Sequence, residues 1–414
     1  MPSMNRRQFL VASSVTGGAA LAAGATGVTW QHLMSRAATD PLAAGSRVLV
    51  VLSLYGGNDG LNTLIPYSDP AYHAARPDLA YAESDVLRLD SALGLNPALV
   101  GLNRLWQAKQ LAIVRGVGYP KPDHSHFRSM DIWQTGSPDA PVNTGWIGRW
   151  LDATGDDPLR AVNIGAVLPP LAVGARAAAA ALPLGRDRTL PAELAAALSS
   201  LGQPDPTDSV ACSLVTAGYR AERRVTSTFA GVLNPVGAGG ESDQQAPASS
   251  AGGQGSLKDQ LAVVARCIAA GVPTRVYSVS QGGFDTHADE KDAQQSQLGL
   301  VDNAVTGFLD ALAKTPHGKD VVLLAYSEFG RRVQANASQG TDHGTAGPVF
   351  VAGVAGGPVK GGFYGEQPSL TELDDGDLRV STDFRAVYAE LLHKVLDTDP
   401  ARVLSTQPPA LGLL

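Results

Sequence analysis

Five short apolar runs constrain the fold of this 414-residue chain more than any other feature. The first, RVLVVLSLYGG at 47–57, is mostly Val and Leu and ends in two glycines. Similar runs occupy 110–117, 274–280, 320–327 and 347–354. A run that is apolar at nearly every position, without alternation, is typical of a strand buried on both faces of a sheet. These runs therefore predict a central sheet of buried strands.

Three amphipathic segments lie between or after these runs, at 256–271, 296–315 and 382–397. Their apolar residues recur with the spacing of one helix face, and the first segment ends at Gly271, a common C-terminal signal. Strands that alternate with helices predict βαβ units. We therefore expect an α/β fold, with a mostly parallel central sheet and helices on both of its faces.

Two other segments depart from this pattern. The stretch at 235–256 is of low complexity and lacks apolar anchors, so we expect a flexible surface insertion there. The Ala-rich stretch at 173–185 fits either a short helix or a strand–loop crossing. The length of the chain allows one large α/β domain or two smaller ones.

The N-terminus predicts export. A pair of arginines at 6–7 precedes a weakly apolar stretch that runs to Val28, and small residues follow at Ser35 and Ala37. This order is that of a secretory signal, and the paired arginines indicate the twin-arginine route. We assign residues 1–37 to the signal, which predicts a periplasmic or extracellular protein without stable membrane insertion after cleavage. An amphipathic or membrane-anchoring N-terminus is the alternative.

Charge and cysteine content exclude other classes. The formal net charge of −7 argues against a nucleic-acid partner, because no basic surplus is available to neutralise phosphates. The two cysteines, Cys212 and Cys267, are too few for a disulfide framework, although they can pair in an oxidising compartment. Cys267 lies in a helical pattern, so we expect it to be a buried apolar residue.

Carboxylates and histidines gather where the predicted strands end, which is where ligand sites form in open α/β sheets. The residues are Asp59 after the first run, Asp123, His124, Ser125 and His126 after the second, Asp285 and His287 after the third, Glu328 and Arg331 after the fourth, and Asp342 and His343 before the fifth. A mixed Asp, Glu and His set is what Zn, Mn or Fe ions take. A hydroxyl beside such an ion becomes a nucleophile at neutral pH.

These residues also have ordinary structural interpretations, which the sequence leaves open. His124 and His126 are surface or substrate-side groups, one of them a candidate general acid. Ser129 is an alternative nucleophile to Ser125. The structural alternatives are an Asx turn at Asp59, a helix cap at Asp285 and His287, an ion pair of Glu328 with Arg331 or Arg332, and a helix cap at Ser125.

Five motifs together resemble a known family. With the twin-arginine start, LYGGNDGLNTLIPY, HSHFRSMDIWQTG, GGFDTH, YSEFGRR and GTDHGTAGPVFVAG resemble the uncharacterised secreted family catalogued as domain of unknown function 1501. That family in turn resembles the alkaline phosphatase superfamily, which includes sulfatases and cofactor-independent phosphoglycerate mutases. The resemblance covers essentially the whole mature chain. It implies a single alkaline-phosphatase-like α/β domain over 38–414 and metal-assisted hydrolysis or transfer of phosphate or sulfate esters.

The resemblance also implies roles for single residues. Asp59 matches the first-strand metal carboxylate, and Ser125 falls near the nucleophile. Asp285 and His287 match the third metal-binding motif, although they are two residues apart where the superfamily has four. His343 matches the late histidine. Glu328-Phe329 stands where the superfamily has an Asp-His pair. The sequence therefore leaves open whether this chain binds two metal ions, binds one, or has lost the chemistry.

Our leading hypothesis is an exported metal-dependent hydrolase of phosphate or sulfate esters, either small molecules or polymers. Ser125 attacks, His126 is the candidate general acid, and Arg331 binds a non-bridging oxygen. One or two divalent ions, Zn or Mn, are held by five residues, namely Asp59, Asp285, His287, Glu328 and His343. The alternative is a non-catalytic secreted binding or scaffold protein that keeps the hydrolase fold. A plain serine hydrolase is disfavoured, because no G-x-S-x-G motif occurs.

Overall fold

A computed structural model describes residues 26–28, 30–155, 157–184, 255–406 and 408–414. Its strands are β1 (Thr26–Gly27), β2 (Val48–Leu54), β3 (Leu64–Ile65), β4 (Leu87–Arg88), β5 (Gly94–Leu95), β6 (Leu111–Gly118), β7 (Ala161–Ile164), β8 (Ala180–Leu182), β9 (Val276–Gln281), β10 (Val321–Ser327), β11 (Gly347–Gly353), β12 (Gly362–Tyr364) and β13 (Thr382–Asp383). Its α-helices are α1 (Trp30–Thr39), α2 (Pro70–Ala75), α3 (Val100–Gln107), α4 (His126–Thr135), α5 (Trp146–Thr154), α6 (Leu257–Ala269), α7 (Glu290–Leu312) and α8 (Phe384–Lys394).

Ten of the described strands form one sheet. Its order is β1-β8-β7-β9-β2-β10-β11-β6-β12, and β13 also pairs with β6. β2 lies between β9 and β10 and is parallel to both. β11 runs antiparallel to its neighbours β10 and β6. The sheet is therefore mixed but mostly parallel, which confirms the predicted α/β class.

The two faces of β2 belong to two different cores. Val48, Val50 and Leu52 are buried in a cluster with residues of α1, α3, α6 and α7. Leu49 and Val51 are buried in a second cluster with residues of α4, α5 and α8. Because successive side chains of a strand point to opposite faces, helices cover both faces of the sheet, as predicted.

The five predicted strands are β2, β6, β9, β10 and β11, and their bounds agree with the prediction to within about three residues. Two of the predicted helices, α6 and α8, lie within the predicted ranges. The third, α7, begins six residues before the predicted start, because its polar first turns hide the apolar period. The Ala-rich stretch contains strand β8, parallel to β1 and β7.

Other sequence predictions fall partly or wholly outside the described residues. Cys267 is buried, in agreement with the prediction, whereas Cys212 lies outside the described residues. Of the predicted insertion at 235–256, only the last two residues are described. None of the described helices is both long and apolar enough to cross a membrane.

The stretch just before residue 38 is packed on the domain in this structure. Helix α1 buries Leu33 in the first core, next to Val28 and Leu42. Its Arg36 donates to Asp157 at 2.9 Å. The predicted boundary at residue 37 therefore divides a helix whose apolar face packs on the domain.

Candidate metal centre

Strand direction brings several loops to one edge of the sheet. The parallel strands β2, β9 and β10 end together there. Because β11 is antiparallel to β10, it begins at the same edge, and β6, antiparallel to β11, ends there. The residues that follow β2, β6, β9 and β10, and those that precede β11, therefore meet at this edge.

His126 is held in a defined orientation by a buried carboxylate. It is the first residue of α4, and its Nδ1 lies 2.8 Å from Oε1 of Glu328. Glu328 is 1% exposed and also accepts from the backbone N–H of Gly56 at 2.9 Å. The hydrogen bond to Glu328 is the main reason why the pKa of His126 is raised. Nε2 of His126 is buried and has no hydrogen-bond partner among the described residues.

His343 is oriented in the same way, by a backbone carbonyl. Its Nδ1 lies 2.7 Å from the carbonyl oxygen of His124, which requires Nδ1 to carry the proton. Burial lowers the pKa of His343, which favours the neutral ring. In that tautomer the lone pair of Nε2 is free for a ligand.

Asp285 stands between the two rings. Its Oδ1 lies 3.3 Å from Nε2 of His126 and 3.3 Å from Nε2 of His343. The same oxygen lies 3.0 Å from Nδ1 of His287 and 2.8 Å from Nη2 of Arg331. Burial acts to raise the pKa of Asp285, but the hydrogen bond and charge of Arg331 outweigh it and lower the pKa to about 2. Asp285 is therefore ionised throughout the physiological range.

The three groups fit a transition metal ion. One ligand atom from each of His126, Asp285 and His343 lies within 4.8 Å of the other two. A tetrahedral ion with bonds of about 2.0–2.2 Å separates its ligand atoms by roughly 3.3–3.5 Å, close to the separation of Oδ1 from each Nε2. Metal-binding histidines almost always donate their second ring N–H to a carboxylate or carbonyl, as His126 and His343 do here. His287, in contact with Asp285, is the candidate fourth ligand.

A comparison with known families identifies the relatives of this chain. The sequence pattern of the family described as "Protein of unknown function (DUF1501)" matches residues 178–407, more than half of the chain. The chain belongs to this family. No curated protein matches the sequence.

Solved structures similar to this DUF1501 protein belong to the alkaline phosphatase superfamily. An alkaline phosphatase superfamily protein from Vibrio parahaemolyticus is 11% identical, with a TM-score of 0.41 over 96% of this chain and 79% of that one. Murine ectonucleotide pyrophosphatase/phosphodiesterase 5 is 11% identical, with a TM-score of 0.37 over 88% and 96% of the two chains. Alkaline phosphatase from the Antarctic bacterium TAB5 is 12% identical, with a TM-score of 0.34 over 77% and 93%. The site assignments therefore rest on the residues of the DUF1501 chain itself.

Three of the predicted ligands lie outside the group of three: His287 lies beside it, and Asp59 and Glu328 have other partners. Asp59 is fully buried, and its carboxylate forms an ion pair with Arg76 and accepts from the backbone N–H of Leu61. The latter contact is the Asx turn that the sequence left open. Glu328 pairs with His126 instead of Arg331 or Arg332, so it lies behind a ligand. The group of three contains the predicted ligands Asp285 and His343, with His287 beside them, and adds His126, the candidate general acid.

Arg331 is buried at the base of the centre, with 1% of its surface exposed. Its guanidinium donates to Asp285 and to four backbone carbonyls, those of Gly56, Gly57, Phe284 and Thr341. These contacts engage all three nitrogens of the guanidinium, and Arg331 is almost fully buried, so its position does not suit direct binding of a substrate oxygen. Its position suits a clamp that joins three loops and compensates the charge of Asp285.

The two candidate nucleophiles differ in accessibility. Ser125 is the exposed residue that precedes α4, and its hydroxyl forms no capping bond to this helix within the described chain. Ser129 is fully buried, and its Oγ lies 2.6 Å from the hydroxyl of Tyr119. Ser125 is therefore the accessible hydroxyl, one residue before a candidate ligand.

Sequence reasoning missed several buried partners of the site. Arg76 pairs with Asp59, Glu290 accepts from the hydroxyl of Thr341, and Asp377 contacts Nε2 of His124. None of the three belongs to a sequence motif, since each stands alone among ordinary residues of a loop or helix. A weak signal existed for Glu290, which follows the GGFDTH motif by three residues. For Arg76 and Asp377 we find no signal in the sequence.

Proposed function

We propose that this chain is an exported, metal-dependent hydrolase of phosphate or sulfate esters that holds one divalent ion, zinc or manganese. The observation that carries the proposal is the convergence of His126 Nε2, His343 Nε2 and Asp285 Oδ1. The second ring nitrogen of each histidine is already paired with an acceptor. Two imidazoles and one carboxylate suit zinc or manganese. The proposed export by the twin-arginine route rests on the N-terminal sequence alone.

With a divalent ion bound, the charges around the centre would favour an anionic substrate. When His126 and His343 are neutral, the fixed charges at the centre are those of Asp285, Glu328 and Arg331, which leave one net negative charge. A divalent ion reverses that sign. Once bound, the ion would polarise an ester and stabilise the charge that develops on its oxygens. Ser125, exposed at the N-terminus of α4 and next to His126 in the sequence, is the proposed nucleophile.

Each protein group has a proposed task. Arg331 holds Asp285 ionised and fixes the loops, and Glu328 and the His124 carbonyl orient the two imidazoles. The Ser125 hydroxyl attacks the phosphorus or sulfur and loses its proton to water, the ester alcohol leaves, and a water molecule then hydrolyses the seryl ester to release phosphate or sulfate. The ring of His287 is 45% exposed and in contact with Asp285, so it is placed to complete the ligand set or to exchange a proton with water. These tasks require no second ion.

Metal analysis of natively exported protein tests the proposal. We expect about one zinc or manganese ion per chain, and hydrolysis of 4-nitrophenyl phosphate or sulfate that a chelator abolishes. His126→Ala and His343→Ala should each lose both the ion and the activity. His393→Ala, at an exposed position at the end of α8, is the matched control and should retain both.

Two other results would count against the proposal. Wild-type protein without a stoichiometric metal would overturn the metal centre and the hydrolase together. A bound ion that His126→Ala removes, without turnover of any aryl phosphate or sulfate, would favour the alternative of a non-catalytic binding or scaffold protein.

A further inference from the structure

His124 is anchored on both of its ends. Its backbone carbonyl accepts the Nδ1–H of His343 at 2.7 Å. Its own imidazole Nε2 lies 2.8 Å from Oδ2 of Asp377, a carboxylate from a loop 253 residues further along the chain. The contact between His124 and Asp377 therefore lies directly behind a candidate metal ligand.

Asp377 itself is rigidly placed. It is 3% exposed, and its backbone N–H and carbonyl both pair with Asp374 at 2.9 Å. Its Oδ1 lies 3.5 Å from Nε of Arg332, the neighbour of Arg331. The carbonyl of the next residue, Leu378, accepts from the hydroxyl of Thr345, two residues after His343. Asp377 thus belongs to a fixed loop that also contacts the segment carrying His343.

The carbonyl of His124, by contrast, lies in irregular backbone. It is between the end of β6 at Gly118 and the start of α4 at His126. Asp123, His124 and Ser125 are all exposed, so little apolar packing holds this segment. The local contacts come from near neighbours in the sequence: the Tyr119 hydroxyl accepts from the N–H of Asp123 at 3.0 Å, the Ser129 hydroxyl donates to the Asp123 carbonyl, and the Asp123 carboxylate accepts from the N–H of Ser125 at 2.7 Å. Apart from the bond from His343 itself, the contact of the His124 side chain with Asp377 is a long-range anchor of this peptide.

We propose that Asp377 is a positioning residue of the metal centre, which acts through His124. By holding the His124 imidazole, Asp377 fixes the peptide carbonyl that binds Nδ1 of His343, and so aims Nε2 of His343 at the ion. Outer partners of this kind are worth about 10–100-fold in metal affinity when they touch the ligand directly. Asp377 acts one contact further out, so we expect roughly a tenfold effect. The inference rests on the proposed metal centre.

The test measures zinc affinity by competition with a chromophoric chelator. Asp377→Ala and His124→Ala should each weaken zinc binding roughly tenfold. The double variant should bind zinc as tightly as the weaker-binding of the two single variants, because both substitutions remove the same contact. Asp377→Asn should recover most of the affinity, since its amide oxygen still accepts from His124. Asp375→Asn is the matched control, with the same charge change in the same loop at an exposed residue with positive φ, which Asn tolerates.

A second measurement needs no metal. In the metal-free protein, NMR of the histidine side chains should show the Nδ1–H tautomer of His343 in the wild type and a mixture of tautomers in Asp377→Ala. If Asp377→Ala fails to fold, His124→Ala, at an exposed position, provides the same readout. Zinc affinity and tautomer unchanged in these variants would overturn the role of Asp377 and leave the metal centre standing. A wild type that binds neither zinc nor manganese would instead overturn the proposed function, and this inference with it.

Discussion

Gly56 allows the loop after β2 to lie directly against the loop that carries Asp285. Its φ is +116°, and a Cβ placed on it would lie 2.5 Å from the backbone nitrogen of Asp285. A backbone neighbour cannot rotate away as a side chain can. We therefore expect Gly56→Ala to lower the free energy of unfolding by at least roughly 1–3 kcal/mol, the usual cost of one strained residue. Urea unfolding measures the change.

Gly282 offers a matched control for this substitution. It lies in the loop after β9, and a Cβ placed on it would have no described atom within 4 Å. Gly282→Ala should therefore leave the unfolding midpoint nearly unchanged. Equal destabilisation by the two variants would contradict the steric account of Gly56.

Glu328 controls the basicity of His126. Because its hydrogen bond is the first cause of the raised pKa of His126, Glu328→Gln should lower that pKa in the metal-free protein. The same hydrogen bond orients the ring, so zinc affinity compared at a pH well above the raised pKa of His126 should fall by about 10–100-fold. Histidine NMR titration and chelator competition measure the two effects. The exposed Glu372→Gln is the control, and an unaltered His126 pKa in Glu328→Gln would contradict the assignment.

The protonation of His126 also makes the stability of the metal-free protein depend on pH. Its folded-state pKa is raised, so the pair with Glu328 stabilises the metal-free protein at pH values below the unfolded pKa of about 6.5. That stabilisation is lost as the pH rises through the raised folded-state pKa. The affinity for a metal ion should instead increase as the pH rises, because the ion binds the neutral ring.

At the scale of single elements, helix α7 begins with a buried acid. Glu290 is fully buried, and its Oε2 accepts from the hydroxyl of Thr341, whose carbonyl in turn accepts from Arg331. Burial and the neighbouring carboxylate of Asp59 raise the pKa of Glu290. Burial also opposes ionisation of Asp59, but the charge of Arg76 outweighs it and lowers that pKa. The folded pair therefore holds one proton at neutral pH, on Glu290.

This pair makes stability depend on pH. In the unfolded chain both carboxyls lose their protons above about pH 5, so folding takes up one proton. The free energy of unfolding should fall as the pH rises from about 5 towards the raised pKa of Glu290, by at most about 1.4 kcal/mol per pH unit. Glu290→Gln cannot ionise, and its amide can still donate to Asp59. We expect it to flatten the slope between pH 5.5 and 8, as measured by urea unfolding.

Asp292→Asn controls for the helix terminus in this experiment. Asp292 is an exposed acid in the same first turn of α7, so its replacement changes the interaction with the helix dipole but removes no buried proton. It should keep the wild-type slope. A Glu290→Gln protein with the wild-type pH dependence would contradict the shared proton.

The elements differ in how well the sequence predicts them, for physical reasons. β2 and β10 are apolar at nearly every position because both faces of the sheet are covered, and this pattern is visible without a structure. The first turns of α7 contain mostly polar residues around Glu290 and Gln294, whose burial depends on partners in other loops. Periodicity does not detect such a helix start. The local hydrophobic pattern therefore predicts an element when each of its residues faces either solvent or an apolar core, and it fails where buried polar residues bind partners in distant loops.

At the scale of the whole molecule, the edge of the sheet that bears the centre follows from strand direction, and the sequence predicts it. The assignment of each carboxylate does not follow. His126 meets Glu328 across 202 residues, and Asp59 meets Arg76 across 17. These pairings decide which carboxylate contacts an arginine or histidine of the protein and which is left to bind a metal ion. Each pairing is set by the packing of loops that are separate in the sequence. Residue type and spacing therefore predict five candidate ligands, but they do not distinguish residues that could bind the ion from residues that only orient those ligands.

The N-terminal helix gives a prediction for the extent of the folded domain. Leu33 is fully buried against the first core, and Arg266 lies 4.1 Å from the centre of the Trp30 ring. Leu33→Ala should lower the free energy of unfolding by about 2–5 kcal/mol, the range for a buried leucine. Gln31→Ala, at an exposed position on the same helix, should have little effect. Thermal and urea unfolding of the purified protein measure both.

The same packing predicts where the mature chain begins. Cleavage after Ala37 would remove Leu33 and expose its neighbours in the first core, and it would also remove the ion pair of Arg36 with Asp157. If the chain is exported as proposed, we expect the N-terminal residue of the mature protein, determined by mass spectrometry, to lie before α1. A mature chain that starts at Ala38 and unfolds at the same urea concentration as a chain that retains α1 would show that this helix contributes nothing to the domain.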